Sequence, residues 1–172
     1  WNLATGEGIK VAVIDNGIFL DHPDLVNNID SLRYDAEATL PMPYNSDSHG
    51  TTCAGIIAAS HNDIGIRGVA PKAKLMSVRF VEYIVDNIGK TLSTINRSAQ
   101  RRYLIKVQHS TKIANVVNWA WQNGADILSC SWGTQYPSQM IDDAIIDALT
   151  KGRDCKGCVV VFAAGNEGYE PL

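Results

Sequence analysis

The segment Ile9-Lys-Val-Ala-Val-Ile-Asp15, with Asn16-Gly17 directly behind it, is the most informative stretch of the chain. A short apolar, β-branched run bounded by a turn signal reads as a strand buried on both faces, the kind that parallel sheets contain. Outward from it the pattern repeats. Lys74 to Phe80, Asp126 to Ser131 and Val159 to Ala163 read as further strands, and Ile29 to Tyr34 as a weaker one. Helical patterns lie between them. His49 to Ser60 is small and apolar, with Cys53, Ile56 and Ile57 at helical spacing, which predicts a buried helix. Ile113, Val116, Val117, Ala120 and Trp121 define an amphipathic helix stopped by Asn123-Gly124. Pro137 opens another, with Met140, Ile141, Ala144, Ile145, Ala148 and Leu149 inward and an end at Lys151-Gly152. Strands alternating with helices predict an α/β fold of three layers, a mostly parallel sheet flanked by helices. In such sheets chemistry gathers at the carboxyl ends of the strands, where Asp15, Ser131 and Gly165-Asn166 fall.

The 172 residues suit one domain, and 45% apolar with 19% charged side chains is a globular composition. A net charge of −3 gives no global positive field for nucleic acid or an anionic membrane. The apolar run from Cys158 to Ala164 is too short to span a bilayer, so no membrane span is expected. The chain opens on Trp1 without a signal-peptide pattern, so it reads as excised from a longer precursor. Four cysteines are too sparse for a disulfide scaffold; Cys53 and Cys130 read as buried free thiols. Cys155-Lys-Gly-Cys158 lacks the second ligand pair a zinc site needs and reads as a loop pair. Residues 87–112 carry six basic and no acidic side chains between a strand and a helix, and read as an inserted surface excursion. Within it, a solvated loop is the plain reading and a partner or cleavage segment at Arg101-Arg102 the sharper one.

Three residues stand where chemistry would be done. Asp15 closes an apolar strand, where a carboxylate is costly to desolvate unless something accepts it. His49 begins a helix in Ser48-His-Gly-Thr-Thr-Cys-Ala-Gly55 and can face out of the fold. Asn166 follows a strand in Ala163-Ala-Gly-Asn-Glu-Gly168, placed to donate to a developing oxyanion or to cap a turn. Singly, each has an ordinary structural use. Together, strand-Asp, His-Gly-Thr at a helix start, Ser-x-Ser-Trp-Gly and Ala-Ala-Gly-Asn-Glu-Gly form an ordered set.

That set resembles the subtilisin-like serine endopeptidases, the subtilases, a worked example of the Asp, His, Ser chain order. The resemblance implies a subtilisin-like fold and peptide-bond hydrolysis. It implies Asp15 as the triad carboxylate, His49 as general base and Asn166 as the oxyanion-hole amide. It implies Ser131, Trp132 and Gly133 as the edge that pairs with substrate backbone, with Ala163, Ala164 and Gly165 as the facing wall. The family's nucleophile lies in a later Gly-Thr-Ser, and no Gly-Thr-Ser occurs in this chain. The expectation is therefore a single partial peptidase domain, truncated, inactive alone and lacking the serine-bearing C-terminal part as a partner. Ser131 is not in a nucleophile elbow and is not taken as the substitute.

The resemblance implies no required cofactor and a structural calcium ion. Asp24 and Asn62 would supply side-chain oxygens and Ser60, Ile64 and Ile66 their carbonyls. The family's further ligand from an N-terminal arm has no counterpart ahead of Trp1. His-Gly-Thr-Thr-Cys, with Cys53 beneath His49, is like the thiol-bearing and kexin-like branches. Asp47 reads as a loop cap, with added negative charge at the substrate rim as the alternative. The partner expected is a peptide or protein substrate; a secreted or cell-envelope location is suggested by the resemblance only. The rival function is a catalytically dead peptide-binding or regulatory pseudoprotease. A nucleotide-binding domain is disfavoured, because Gly6-Glu-Gly8 precedes the first strand and forms no phosphate-binding turn behind it.

Overall fold

The computed structural model of the chain describes residues 1, 3–36, 49–80, 99–134 and 137–166, with backbone alone for 99–106 and 108. Lys10–Asp15 forms β1, and every residue from Val11 onward is buried. The chain continues through β2 (Tyr34–Asp35), α1 (His49–Ala58) and β3 (Lys74–Arg79). It then runs through α2 (Ala99–Gln122), β4 (Ile127–Cys130), α3 (Gln139–Cys155) and β5 (Val159–Phe162). The five strands form one sheet in the order β2-β3-β1-β4-β5. All pairings are parallel, with Asp15 in register with Arg79 and Val13 with Ser129. β1 is thus central, and the winding reverses beside it, which is where open α/β sheets place their sites.

Alternation along β1 builds two cores. Ala12 and Ile14 pack with Met76, Val78 and Leu128 against Val116 and Val117 of α2 and Ala144 and Ala148 of α3. Val11 and Val13 pack with Leu75 against Ala54 and Ala58 of α1. Each fully buried Val, Leu or Ile contributes about 1.5–3 kcal/mol, so a one-residue slip of β1 would be strongly opposed.

The α/β three-layer expectation is met, with local differences. Ile29 makes only an isolated bridge to Leu75, and the paired strand is confined to Tyr34–Asp35. α1 buries Gly50, Thr51, Ala54, Gly55 and Ala58, while Ile56 is exposed. Small residues rather than large ones let this helix lie close to the sheet. In α3, Met140 and Leu149 are exposed, and the buried stripe is Ile141, Ala144 and Ala148. Regular helical dihedrals in α3 end at Lys151, as expected. Gly152 has φ −61° and ψ 157°, and Arg153, Asp154 and Cys155 follow at positive φ. Gly152 is required there, because a Cβ would stand 2.3 Å from Cys158 Sγ.

Residues 99–112, read as part of a surface excursion, belong to α2, which continues unbroken to Gln122. The stretch holds no Gly or Pro to stop it. Ser110 and Ala114 extend the buried stripe upstream of Val117, and the polar Ser110 hides that continuation from a hydrophobicity reading. Residues 87–98 lie outside the described residues, as do Asp47 and the side chains of Arg101 and Arg102.

Candidate active site

Asp15 ends β1 with its side chain 6% exposed. One oxygen accepts the Asn16 N–H at 2.7 Å, and both lie 2.9 Å from His49 Nδ1. A buried carboxylate in that contact fixes the tautomer that carries the proton on Nδ1. Nε2 is then the basic nitrogen, on a side chain that is 58% exposed. The pair joins residues 34 apart in sequence at the carboxyl end of the sheet. Its chemistry is that of an oriented general base.

The helix carrying His49 is seated against the turn that follows Asp15. A Cβ on Gly50 would stand 2.4 Å from the Gly17 carbonyl oxygen and 3.0 Å from Asp15 Cβ. Asn16 Oδ1 accepts the Gly50 N–H at 2.9 Å, and Thr51 Oγ1 accepts the Phe19 N–H at 2.8 Å. Ser77 Oγ accepts the Ile18 N–H at 3.2 Å, tying the same turn to β3. On the other side of β1, Trp132 donates its indole N–H to the Ile14 carbonyl at 2.7 Å. Its ring meets Phe80 and Phe162 edge-on, with centroids 4.9 and 5.2 Å away. Asn16, Thr51, Ser77 and this use of Trp132 were not legible in the sequence, because each acts through a long-range hydrogen bond without a local pattern.

Cys53 lies one turn beyond His49, partly buried, with Sγ 3.9 Å from both ring nitrogens. Equal distances place the sulfur beside the ring without favouring either nitrogen. Burial pushes its thiol pKa up; a hydrogen bond with Ser131 opposes this, and the Asp15 charge reinforces it. Asp15, His49 and Cys53 hold ligand-type atoms within 4.8 Å of one another. His49 Nδ1 is already taken by Asp15 and the thiol is held toward its protonated form by burial, which favours a packed cluster over a chelate. Cys130 is buried as expected, and burial followed by the Asp15 charge pushes its thiol up to about 12. All four cysteines are free thiols, Cys155 exposed and Cys158 buried.

The remaining expected site residues continue from β4 and β5, which are neighbours. Ser131 and Trp132 are half-buried and Gly133 is exposed; Ala163, Ala164, Gly165 and Asn166 are exposed. Ala163 N donates to the Cys130 carbonyl at 3.1 Å, so the two segments leave the sheet side by side. Gly165 turns the chain at φ 86° just before Asn166.

The calcium expectation falls on Asp24 and the loop that follows α1. Asp24 is 2% exposed; its Oδ2 accepts the Ile66 N–H at 3.1 Å, while its Oδ1 is buried without a hydrogen-bond partner among the described residues. Gly65, at φ 59°, keeps the loop against this carboxylate, where a Cβ would stand 2.5 Å from Oδ2. Asn62 Oδ1 accepts the Ile64 N–H at 3.0 Å, and Ser60 N donates to the Asp24 carbonyl at 2.9 Å. A buried carboxylate oxygen with no hydrogen-bond partner among the described residues is a donor of the kind a hard cation takes.

Comparison with known proteins agrees with this architecture. The sequence profile of the subtilase family matches residues 6–171. The calcium-dependent protease of Trichormus variabilis is 34% identical over 185 residues, covering 96% of this chain and 24% of that protein. Thermitase of Thermoactinomyces vulgaris is 34% identical over 169 residues, covering 98% of this chain and 51% of that protein. The crystal structure of fervidolysin from Fervidobacterium pennivorans, described as a keratinolytic enzyme related to subtilisin, superposes with a TM-score of 0.71. It is 28% identical, over 96% of this chain and 22% of that one. The chain belongs to the subtilase family. It spans between a quarter and a half of the length of these relatives. Among the described residues, no helix is long and apolar enough to cross a membrane.

Proposed function

We propose that the full-length protein is a serine endopeptidase working through an Asp-His-Ser triad, with Asp15 and His49 as two of its members. The observation that carries this reading is the buried Asp15 carboxylate held 2.9 Å from His49 Nδ1 at the carboxyl end of the sheet. His49 Nε2 takes the proton of the serine hydroxyl as the oxygen attacks the scissile carbonyl, then returns it to the leaving amine. Asp15 holds the tautomer and stabilises the imidazolium that forms. The Asn166 amide donates to the oxyanion of the tetrahedral intermediate. Extended peptide adds along Ser131, Trp132 and Gly133, with Ala163, Ala164 and Gly165 opposite, as a β-strand. The mechanism needs a nucleophile that a Gly-Thr-Ser would provide; the chain has none. These 172 residues alone are accordingly inactive. They form one partial peptidase domain. Asp24 and Asn62, with the carbonyls of Ser60, Ile64 and Ile66, hold a calcium ion that stiffens the loop behind α1. The protease named for calcium dependence among its relatives is consistent with that assignment.

The test uses the full-length protein and a casein-type substrate. His49→Ala should remove nearly all turnover while peptide binding persists, because the base acts in the transition state. Asn166→Ala should slow turnover by roughly 10²–10³ with little change in affinity. Asp15→Asn should preserve geometry and lose activity through the wrong tautomer. Equal hydrolysis by wild type and His49→Ala would refute the mechanism. A wild-type protein that binds peptide and never cuts it would make the pseudoprotease the correct reading.

A further inference from the structure

We propose that Asn16 is a positioning residue for the Asp15–His49 pair, locking the helix that carries the base to the strand that carries the acid. The proposal rests on the preceding reading of that pair as the catalytic base. Asn16 makes two hydrogen bonds, one to each side. Its backbone N–H donates to Asp15 Oδ1 at 2.7 Å, and its side-chain Oδ1 accepts the Gly50 N–H at 2.9 Å.

The second bond explains a need of the fold. α1 begins at His49, so the amide of Gly50 belongs to the first turn and has no intrahelical acceptor. An Asn side chain from outside the helix does what an N-cap residue would do from within it. It does so from the residue next to Asp15, so helix position and carboxylate position are set by one side chain. The contact is tight. A Cβ at Gly50 would come 3.1 Å from Asn16 Oδ1, and closer still to Gly17. A reach of one amide group therefore controls a hydrogen bond whose length decides how the imidazole is aimed. Truncating Asn16 changes neither the Asp15 nor the His49 side chain and keeps the Asn16 N–H; it removes only the lock.

The experiment uses the full-length protein and two readouts that a merely structural residue would not move together. The first is the downfield proton NMR signal of the His49 Nδ1–H in its hydrogen bond to Asp15, which reports the pair whether or not the protein turns over substrate. The second is peptide hydrolysis at one fixed alkaline pH, separated into kcat and KM. Asn16→Ala should broaden or abolish the signal and lower kcat about tenfold or more, with KM within about twofold, since misplacing a base acts on the chemical step. Asn16→Asp keeps an acceptor of the same shape and should restore both. Asn16→Ser shortens the acceptor and should fall between them. Should Asn16→Ala fail to fold, the ordering of wild type, Asp and Ser carries the same test. A sharp wild-type signal in Asn16→Ala or Asn16→Ser, whatever happens to the melting temperature, overturns the proposal. The two readings fail separately. An inactive wild type whose signal follows the predicted ordering refutes the endopeptidase and supports the lock. Hydrolysis abolished by His49→Ala but unchanged in kcat by Asn16→Ala supports the endopeptidase and refutes the lock.

Discussion

Gly50→Ala is the most demanding perturbation of the architecture described above. The added Cβ would stand 2.4 Å from the Gly17 carbonyl oxygen, a backbone atom with little freedom to yield, and 3.0 Å from Asp15 Cβ. Restoring an ordinary carbon–oxygen contact requires the start of α1 to retreat by roughly 1 Å. His49 is the neighbouring residue and moves with it. Its 2.9 Å contact to Asp15 would open toward about 3.9 Å, beyond hydrogen-bonding range. Overpacking costs about 1–3 kcal/mol, offset by up to about 1 kcal/mol from the better helix propensity of Ala. A net loss of about 1–2 kcal/mol is a drop of several degrees in a domain of this size. The effect on turnover should be larger, roughly 10²-fold in kcat, because a misplaced base fails in the transition state. The control sits on the same helix. At Gly55 the nearest atom to an added Cβ is Ile66 Cδ1 at 3.4 Å, an ordinary contact with a flexible tip. Gly55→Ala should keep wild-type kcat and gain up to about 1 kcal/mol. Thermal melts and hydrolysis rates of both variants in the full-length protein decide the matter. Wild-type kcat in Gly50→Ala, or equal behaviour of the two variants, would show that helix seating does not set the base.

Trp132→Phe keeps the ring between Phe80 and Phe162 and leaves the buried Ile14 carbonyl without its 2.7 Å donor; denaturant unfolding should show a loss of about 1–3 kcal/mol. On the proposed calcium site, a chelator should lower the melting temperature through the loss of about 2.7 kcal/mol of stability for an ion at 100 times its Kd. In Asp24→Asn that chelator sensitivity should vanish; an undiminished response would move the ion elsewhere. At pH 8 iodoacetamide should label Cys155 and spare Cys130, whose thiol is exposed to no solvent and is pushed up to about 12. Because the unfolded thiol ionises first, Cys130 leaves stability unchanged below about pH 9 and lowers it from there toward 12; urea midpoints at pH 8 and 10.5, with Cys130→Ala as control, measure this.

The strands and helices that carry the core were legible because their signal is local. Val11, Val13 and Ile14 announce a buried strand within six residues, and Ile113, Val116, Val117 and Ala120 announce a helix face. The first half of α2 was not, because its buried stripe passes through Ser110 and its sequence is dense in positive charge. Ile56 was misplaced for the opposite reason: apolarity at helical spacing does not say which face meets the sheet, and α1 turns its glycines and alanines inward. Asp15 and His49 were found as motif residues. Their contact was not derivable from spacing, since they lie 34 positions apart.

What holds that contact is a division of labour between large and small residues. The far face of β1 is closed by bulk, with Trp132 wedged between Phe80 and Phe162 and anchored to the Ile14 carbonyl. On the other side, bulk is absent at the end of the strand, where Gly50 meets Gly17 and Asp15. Bulk on one side fixes where the end of the strand lies. Close approach on the other lets a helix start touch it, so that the imidazole meets the carboxylate without spanning a gap. A carboxylate buried to this degree would cost several kcal/mol if it faced only apolar atoms. Here the Asn16 N–H, local to the turn, and the His49 Nδ1–H supply its partners, and the second depends on the seating of one helix turn. The stability of Asp15 in the fold and the orientation of His49 are therefore one property, and a substitution that loosens the seat should degrade both together.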